Sequence, residues 1–269
     1  MIELLERLFS YYPDTYTLSD FTYAFSADNP AFAATLAVTA LTFAIGFLEY
    51  IWSFRLVRAE ASAPYPLMMH CFYFGIDSMG IVVFALASYH TGGFWVFTAA
   101  SIAEVVWTLF EIYNLVKCVT LERDAIWGNL YPEGVPVFQA VWRIVAQCLA
   151  WIFIINTFRV FLVDPAMFKW YIFTNVLMAI VPGLYWERRK TRTGASMVLA
   201  VIILVGTVNS FLPTNMWASV SSYFSMANNP WFYLMGVVSI FFAVRGVVVL
   251  ARLPKKDAVC EATGRKTLL

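Results

Sequence analysis

The sequence predicts an all-α, polytopic membrane protein: a seven-transmembrane-helix bundle, N-terminus outside and C-terminus cytoplasmic. Three observations predict it. The 269 residues are 61% hydrophobic and only 13% charged, with mean hydropathy +0.71, whereas a soluble domain sits nearer half apolar and a quarter charged. Seven apolar runs each reach the roughly 20 residues a helix needs to cross a bilayer. Lysines and arginines fall almost entirely on alternate connections between those runs.

The runs cover 34–57, 65–89, 94–118, 135–160, 166–186, 194–212 and 230–252. They are too long and too uniformly apolar for barrel strands, which alternate over about ten residues. Backbone groups in lipid must bond within their own segment, so each run is expected to be helical. Residues 1–33 form an N-terminal interfacial segment. The opening MIELLERLF carries acids and no cleavage site after an apolar core, so it is read as an amphipathic surface helix, followed by a polar turn ending at Asn29-Pro30. Residues 34–252 make the transmembrane domain and 253–269 a cytoplasmic tail. The stretch 213–229 is rich in Ser, Asn and aromatics and reads as an interfacial helix or a lid.

Orientation follows from the basic residues. Arg55, Arg58, Lys117, Arg123, Arg188, Arg189, Lys190, Arg192, Arg252, Lys255, Lys256, Arg265 and Lys266 lie on one side; Arg7, Arg159 and Lys169 lie on the other. That is 13 against 3, and the richer side is cytoplasmic. The chain is expected in the plasma membrane of a bacterium or the endoplasmic reticulum of a fungus.

A net charge of +1 gives no global attraction to nucleic acid. Cys71, Cys118, Cys148 and Cys260 form no CxxC pair and read as small buried hydrophobes. His70 and His90 fall at opposite ends of span 2, and no DDxxD-type cluster exists for magnesium and diphosphate. Neither a metal nor another cofactor is expected.

The informative residues are the ionisable groups at membrane depth: Glu49 in span 1, His70 and Asp77 in span 2, Glu104 and Glu111 in span 3, Arg143 in span 4 and Arg245 in span 7. Each costs at least about 2.5–3.5 kcal/mol at a helix centre, so each should face a partner or a cavity. His70 and Asp77 share a face, as do Glu104 and Glu111, being seven apart. Arg143 and Arg245 are expected to pair with Glu49 and Glu111, pinning helices together. No cation then remains for Asp77 or Glu104, and one of the two should retain its proton. A protonated carboxyl in an apolar cavity suits general-acid work; a neutral Asp77 bonded to a neighbouring helix is the plainer reading. Tyr73, Phe74, Trp107 and Trp142 lie deep enough either to pack helices or to line a cavity whose ring faces stabilise a cation. With His70, Arg143, Asn175 and Arg245 they complete the expected substrate contacts.

Several local patterns resemble the integral-membrane terpene cyclases of fungal meroterpenoid and indole-diterpene biosynthesis, which have bacterial relatives. They are Gly46-Phe47-Leu48-Glu49-Tyr50 in span 1; Ala63-Pro64-Tyr65-Pro66-Leu67-Met68-Met69 entering span 2, with Asp77 about ten positions on; Asp164-Pro165-Ala166 opening span 5; Arg192-Thr193-Gly194-Ala195-Ser196 entering span 6; and Asn229-Pro230-Trp231, then Leu234-Met235-Gly236-Val237-Val238, in span 7. The family has its functional span-2 Glu in an Asn-x-x-Trp-Glu pattern, where this chain has Ile76-Asp77. It has a second functional carboxylate in span 7, which would fall near Phe242 and is missing here. Glu49 stands for a neutral Asn. The acids have moved from spans 2 and 7 to spans 1, 2 and 3.

The resemblance implies a bundle that holds an isoprenoid chain, protonates a terminal epoxide or alkene, and lets a cation cascade close rings before losing a proton. Asp77 would be the acid, or part of it. Glu49, Glu104 or Glu111 would tune it or accept the final proton. The expected partners are a lipophilic small-molecule substrate and membrane lipid; the sequence sets no oligomeric state. Two other readings stay open: a non-catalytic lipophile-binding protein, and a proton or small-ion transporter using the buried acids. A covalent retinal is excluded, because span 7 has no lysine.

Overall fold

A computed structural model describes Ile2 and residues 15–268. The amphipathic helix expected over the first residues therefore falls almost wholly outside the described part. The described chain is all-helical apart from a single β-bridge, Val259 to Lys266, in the tail. Its helices are α1 (Leu18–Ala24), α2 (Phe32–Glu60), α3 (Leu67–His90), α4 (Trp95–Thr120), α5 (Arg123–Trp127), α6 (Val137–Phe161), α7 (Phe168–Trp186), α8 (Met197–Phe211), α9 (Met216–Val220) and α10 (Pro230–Arg252), with a 3₁₀ turn at Ser222–Phe224.

Element boundaries follow local chemistry. Pro66, Pro136 and Pro230 stand at the starts of α3, α6 and α10, where a missing N–H costs nothing. Ser196 and Asn215 cap α8 and α9 by accepting from Leu199 and Ala218 N–H. Ala61 in the left-handed region, at φ 52°, ends α2.

Among the described residues, six helical segments are long and apolar enough to cross a membrane: α2, α3, α4, α6, the segment Met197–Val220 and α10. The chain is thus a multi-pass membrane protein by its helices. The fifth expected span is also a helix, α7, but it falls short of those six in apolarity. Its 19 residues include Lys169, Tyr171, Thr174, Asn175 and Pro182, several of which turn inward to the site described below.

α3 is the hub, packing against α4 along its length and against α6. α10 packs on α7 and α8, and α2 on α8. The most apolar stretch of α3 is 56% buried, against 11% for α2 and 17% each for α4 and α6. The outward faces of those three, with Leu41, Leu48, Ile102, Leu109, Phe138, Trp142 and Phe153 exposed, therefore present an apolar surface suited to lipid. At the α7–α10 crossing, Gly183 and Gly246 let two backbones touch: a Cβ on Gly183 would sit 2.9 Å from the Gly246 Cα.

Both ends of the bundle are closed by chain. At one end, α1 and α9 lie over the helices in an aromatic cluster of Tyr16, Phe21, Phe97, Phe168, Trp217, Phe224 and Phe232. The stretch 213–229 is thus a covering element. Its anchor is Tyr16, which donates to Asp164 and accepts from Ala166 and Phe168 N–H at 3.0 and 3.1 Å. At the other end the tail folds back. Buried Glu60 accepts from Lys256 Nζ at 2.6 Å, from Gly194 N–H at 2.7 Å and from Leu268 N–H at 2.9 Å.

Candidate functional site

A cavity of about 170 Å³ runs inside the bundle, from beneath α1 and α9 to Glu49, Tyr50 and Tyr73. α2, α3, α4, α7 and α8 all contribute to its wall. Its upper part is apolar, with Phe21, Phe25, Phe84, Phe97, Phe168 and Trp217. Its lower part carries Thr39, Thr42, Glu49, Asp77, Glu104, Asn175, Asn209 and Ser210 among rings. Among the described residues no Lys, Arg or His lines it. Trp107 and Phe43 stack at 5.3 Å between centroids and 12° between planes, forming a flat aromatic wall.

Asp77 and Glu104 meet in this wall. They come from adjacent antiparallel helices, and their carboxyls are within hydrogen-bonding reach of one another. Both side chains are buried, at 3% and 2% exposure. Tyr171 Oη donates to Glu104 Oε1 at 2.7 Å; among the described residues Asp77 Oδ2 and Glu104 Oε2 have no hydrogen-bond partner. Two bare carboxylates in contact, with no cation beside them, repel strongly. One proton between them removes the repulsion and makes a hydrogen bond. The approach depends on Gly80, one turn from Asp77. A Cβ there would lie 2.6 Å from Tyr171 Oη and 2.9 Å from Glu104 Cγ.

Other polar groups of the wall are satisfied within it. Asn209 donates to Thr42 Oγ1 at 2.9 Å, Ser210 to Asn175 Oδ1 at 2.9 Å, and Tyr73 Oη to the Thr174 carbonyl at 2.9 Å. Trp107 Nε1 and Thr39 Oγ1 are buried without a partner among the described residues. Buried polar atoms are normally bonded, so these two, with the free carboxyl oxygens, are the groups an occupant can satisfy. Glu49 also faces the cavity and makes no hydrogen bond or ion pair among the described residues; Gly206 on α8 leaves it room.

No family model, curated protein or solved structure matches the chain.

The structure brings six of the twelve sequence-expected residues to the cavity: Asp77, Glu49, Glu104, Tyr73, Trp107 and Asn175. Glu111 and His70 stand behind the wall. Glu111 accepts from Tyr50 Oη at 2.7 Å and pairs with His70 Nδ1 at 2.8 Å, and both side chains are 1% exposed. The expected pairing of the two arginines with Glu49 and Glu111 does not occur. Arg143 donates to Tyr131 Oη at 3.1 Å, and Arg245 bonds Glu187 at 2.7 Å on the exterior. The reason is depth: both arginines lie near helix ends, where long side chains reach polar surroundings. Trp142 is 58% exposed on the outward face of α6, and Phe74 packs against the α4–α6 side of α3. Arg143, Arg245, Trp142 and Phe74 therefore lie away from the cavity.

Sequence reasoning passed over Tyr50, Tyr171, Gly80, Thr42, Asn209 and Ser210. Each is an ordinary residue for an apolar helix, and only its position opposite an acid or an amide distinguishes it. Asp164 lies outside the spans, under the α1–α9 cover. Burial raises its carboxyl above the ordinary value, and the bonds from Tyr16, Lys169 N–H and Trp170 N–H oppose that rise.

Proposed function

We propose that this chain is an integral-membrane isoprenoid cyclase that starts its reaction by protonation, without metal. The observation that carries the reading is the Asp77–Glu104 carboxyl pair, set in the wall of an aromatic-lined, cation-free cavity inside a lipid-facing bundle. We place seven spans in the membrane, α7 being the seventh, with the N-terminus outside; the 13-to-3 asymmetry of basic residues supports this.

The substrate class is a prenylated or epoxyprenylated lipophile. The proton shared by Asp77 and Glu104 passes to the terminal epoxide oxygen or alkene carbon, leaving a carbocation on the chain. Both carboxyls are then ionised; Tyr171 stays bonded to Glu104 and steadies one of them, and the cation formed on the chain offsets their charge. Internal double bonds attack in turn and close rings. The faces of Trp107, Phe43 and Tyr73 stabilise the moving positive charge. The apolar walls exclude water that would capture it.

The test is mass spectrometry of lipids that co-purify with wild type and with Asp77→Asn. The expected result is a prenylated quinone, phenol or indole enriched by the variant, and its cyclised isomer with wild type. The same phospholipid in both preparations would overturn the reading. Proton flux in liposomes, lost in Asp77→Asn, would put a transporter in its place.

A further inference from the structure

An acid-started cascade needs a second proton-handling group, because the last cation must lose a proton to finish as an alkene. The carboxyl pair sits on α3 and α4. A different station reaches the cavity from α2. Tyr50 lines the lower end of the cavity, and its hydroxyl donates to Glu111 Oε1 at 2.7 Å. Glu111 Oε2 meets His70 Nδ1 at 2.8 Å and accepts from Asn114 Nδ2 at 3.3 Å. With the proton of His70 on Nδ1, three donors converge on one carboxyl group, which is the surrounding of a carboxylate. No Lys or Arg contacts it among the described residues. Neither Glu111 nor His70 lines the cavity.

We propose that Tyr50 is the terminal base of the cyclisation, taking a proton from the last carbocation as its own proton passes to Glu111. This rests on the cyclase reading of the same cavity. The step balances. A C–H bond beside the cationic carbon breaks, and its electron pair forms the C=C bond. The proton joins Tyr50 Oη, and the phenolic proton moves 2.7 Å along the existing hydrogen bond to Glu111 Oε1. The carboxyl pair has given one proton and Glu111 has gained one, so the substrate is isomerised with no co-reactant. Tyr50 is the catalytic residue of this step. His70 and Asn114 are positioning residues, which hold the carboxylate with its Oε1 toward the phenol. A Tyr donating to a carboxylate keeps its lone pairs free to accept a proton, and Tyr50 lines the cavity whereas Glu111 does not.

The test pairs a kinetic arm with a substrate-free arm. Farnesylated hydroquinone and its terminal epoxide are incubated with purified wild type, Tyr50→Phe and Asp77→Asn. Tyr50→Phe should lower kcat by about 10²–10⁴-fold, the span of general acid–base catalysis, with KM unchanged. Its product should shift from cyclic alkene to water-captured alcohol, while Asp77→Asn stops consumption altogether. Wild-type rate and alkene yield in Tyr50→Phe would overturn the proposal and leave the cyclase reading standing. In the second arm, the infrared difference between wild type and Glu111→Gln should show a carboxylate stretch. A protonated carboxyl stretch would overturn the proposal, since the acceptor would already be full. Should Glu111→Gln not fold, the shift of the Glu111 band in Tyr50→Phe gives the same readout. If wild type converts neither probe and the lipid test also fails, the cyclase reading falls, and the infrared arm still decides whether Glu111 can accept.

Discussion

Gly80→Ala tests whether close approach at α3 assembles the carboxyl pair. The added Cβ would lie 2.6 Å from Tyr171 Oη and 2.9 and 3.0 Å from Glu104 Cγ and Cδ. Glu104 is buried, Tyr171 is half-buried, and the two are bonded to each other at 2.7 Å, so moving either breaks that bond or shifts α4. Overpacking of this kind costs about 1–3 kcal/mol. Ala also favours a helix over Gly by about 1 kcal/mol, which hides part of the cost. Gly46→Ala supplies the reference: it makes the same backbone change on α2, but its Cβ would meet Trp107 Cζ2 at 3.8 Å, an ordinary contact. Subtracting one from the other cancels the propensity gain and leaves the steric term. Thermal unfolding in detergent should place Gly80→Ala below Gly46→Ala by about 1–3 kcal/mol, the full overpacking cost. A misplacement of about 1 Å should also cost turnover roughly 10²-fold. Equal midpoints for the two variants would refute the packing argument at Gly80, and with it the geometry of the Asp77–Glu104–Tyr171 cluster.

Tyr171→Phe should cost about 1–3 kcal/mol of stability, by stripping a buried carboxyl oxygen of its donor; an unchanged unfolding midpoint would contradict that bond. Gly183→Ala should destabilise more than Gly46→Ala, because its Cβ meets backbone at Gly246 and the α7–α10 crossing must open; a neutral outcome would show that the two helices do not touch there. On the exterior, the hydrogen bond and charge of Arg245 hold the Glu187 carboxyl below its ordinary 4.5. A depressed carboxyl adds stability above its unfolded value and loses it as pH falls through the folded one. Arg245→Gln should therefore flatten stability against pH only below about 4.5, and 1 M salt should mimic it. A pH dependence below about 4.5 that is the same in variant and wild type would refute the assignment.

Much of the fold is legible in the residues. Length, apolarity and the Pro, Asn and Ser at boundaries place the helices within a few positions of where they lie, since each depends on neighbours in sequence. The four acids and the histidine expected at depth, Glu49, Asp77, Glu104, Glu111 and His70, do find an interior or cavity position. The two arginines expected at depth, Arg143 and Arg245, do not meet the acids assigned to them, because the reach of an arginine lets it leave its own depth. α7 reads from sequence like any other span. Its polar residues prove to be what it contributes to the cavity wall.

The sequence by itself determined that this chain lives in a membrane as helices, and that a few costly charges must be accounted for inside. Both follow from the energetics of single segments in lipid. Which acid meets which partner was decided by tertiary structure alone. Asp77 finds Glu104 only because α3 and α4 pack closely where Gly80 carries no side chain, and Glu111 finds His70 and Tyr50 because three helices converge. A carboxyl's chemistry is set by atoms within a few ångströms, and in a helical bundle those atoms come from helices far apart in the chain.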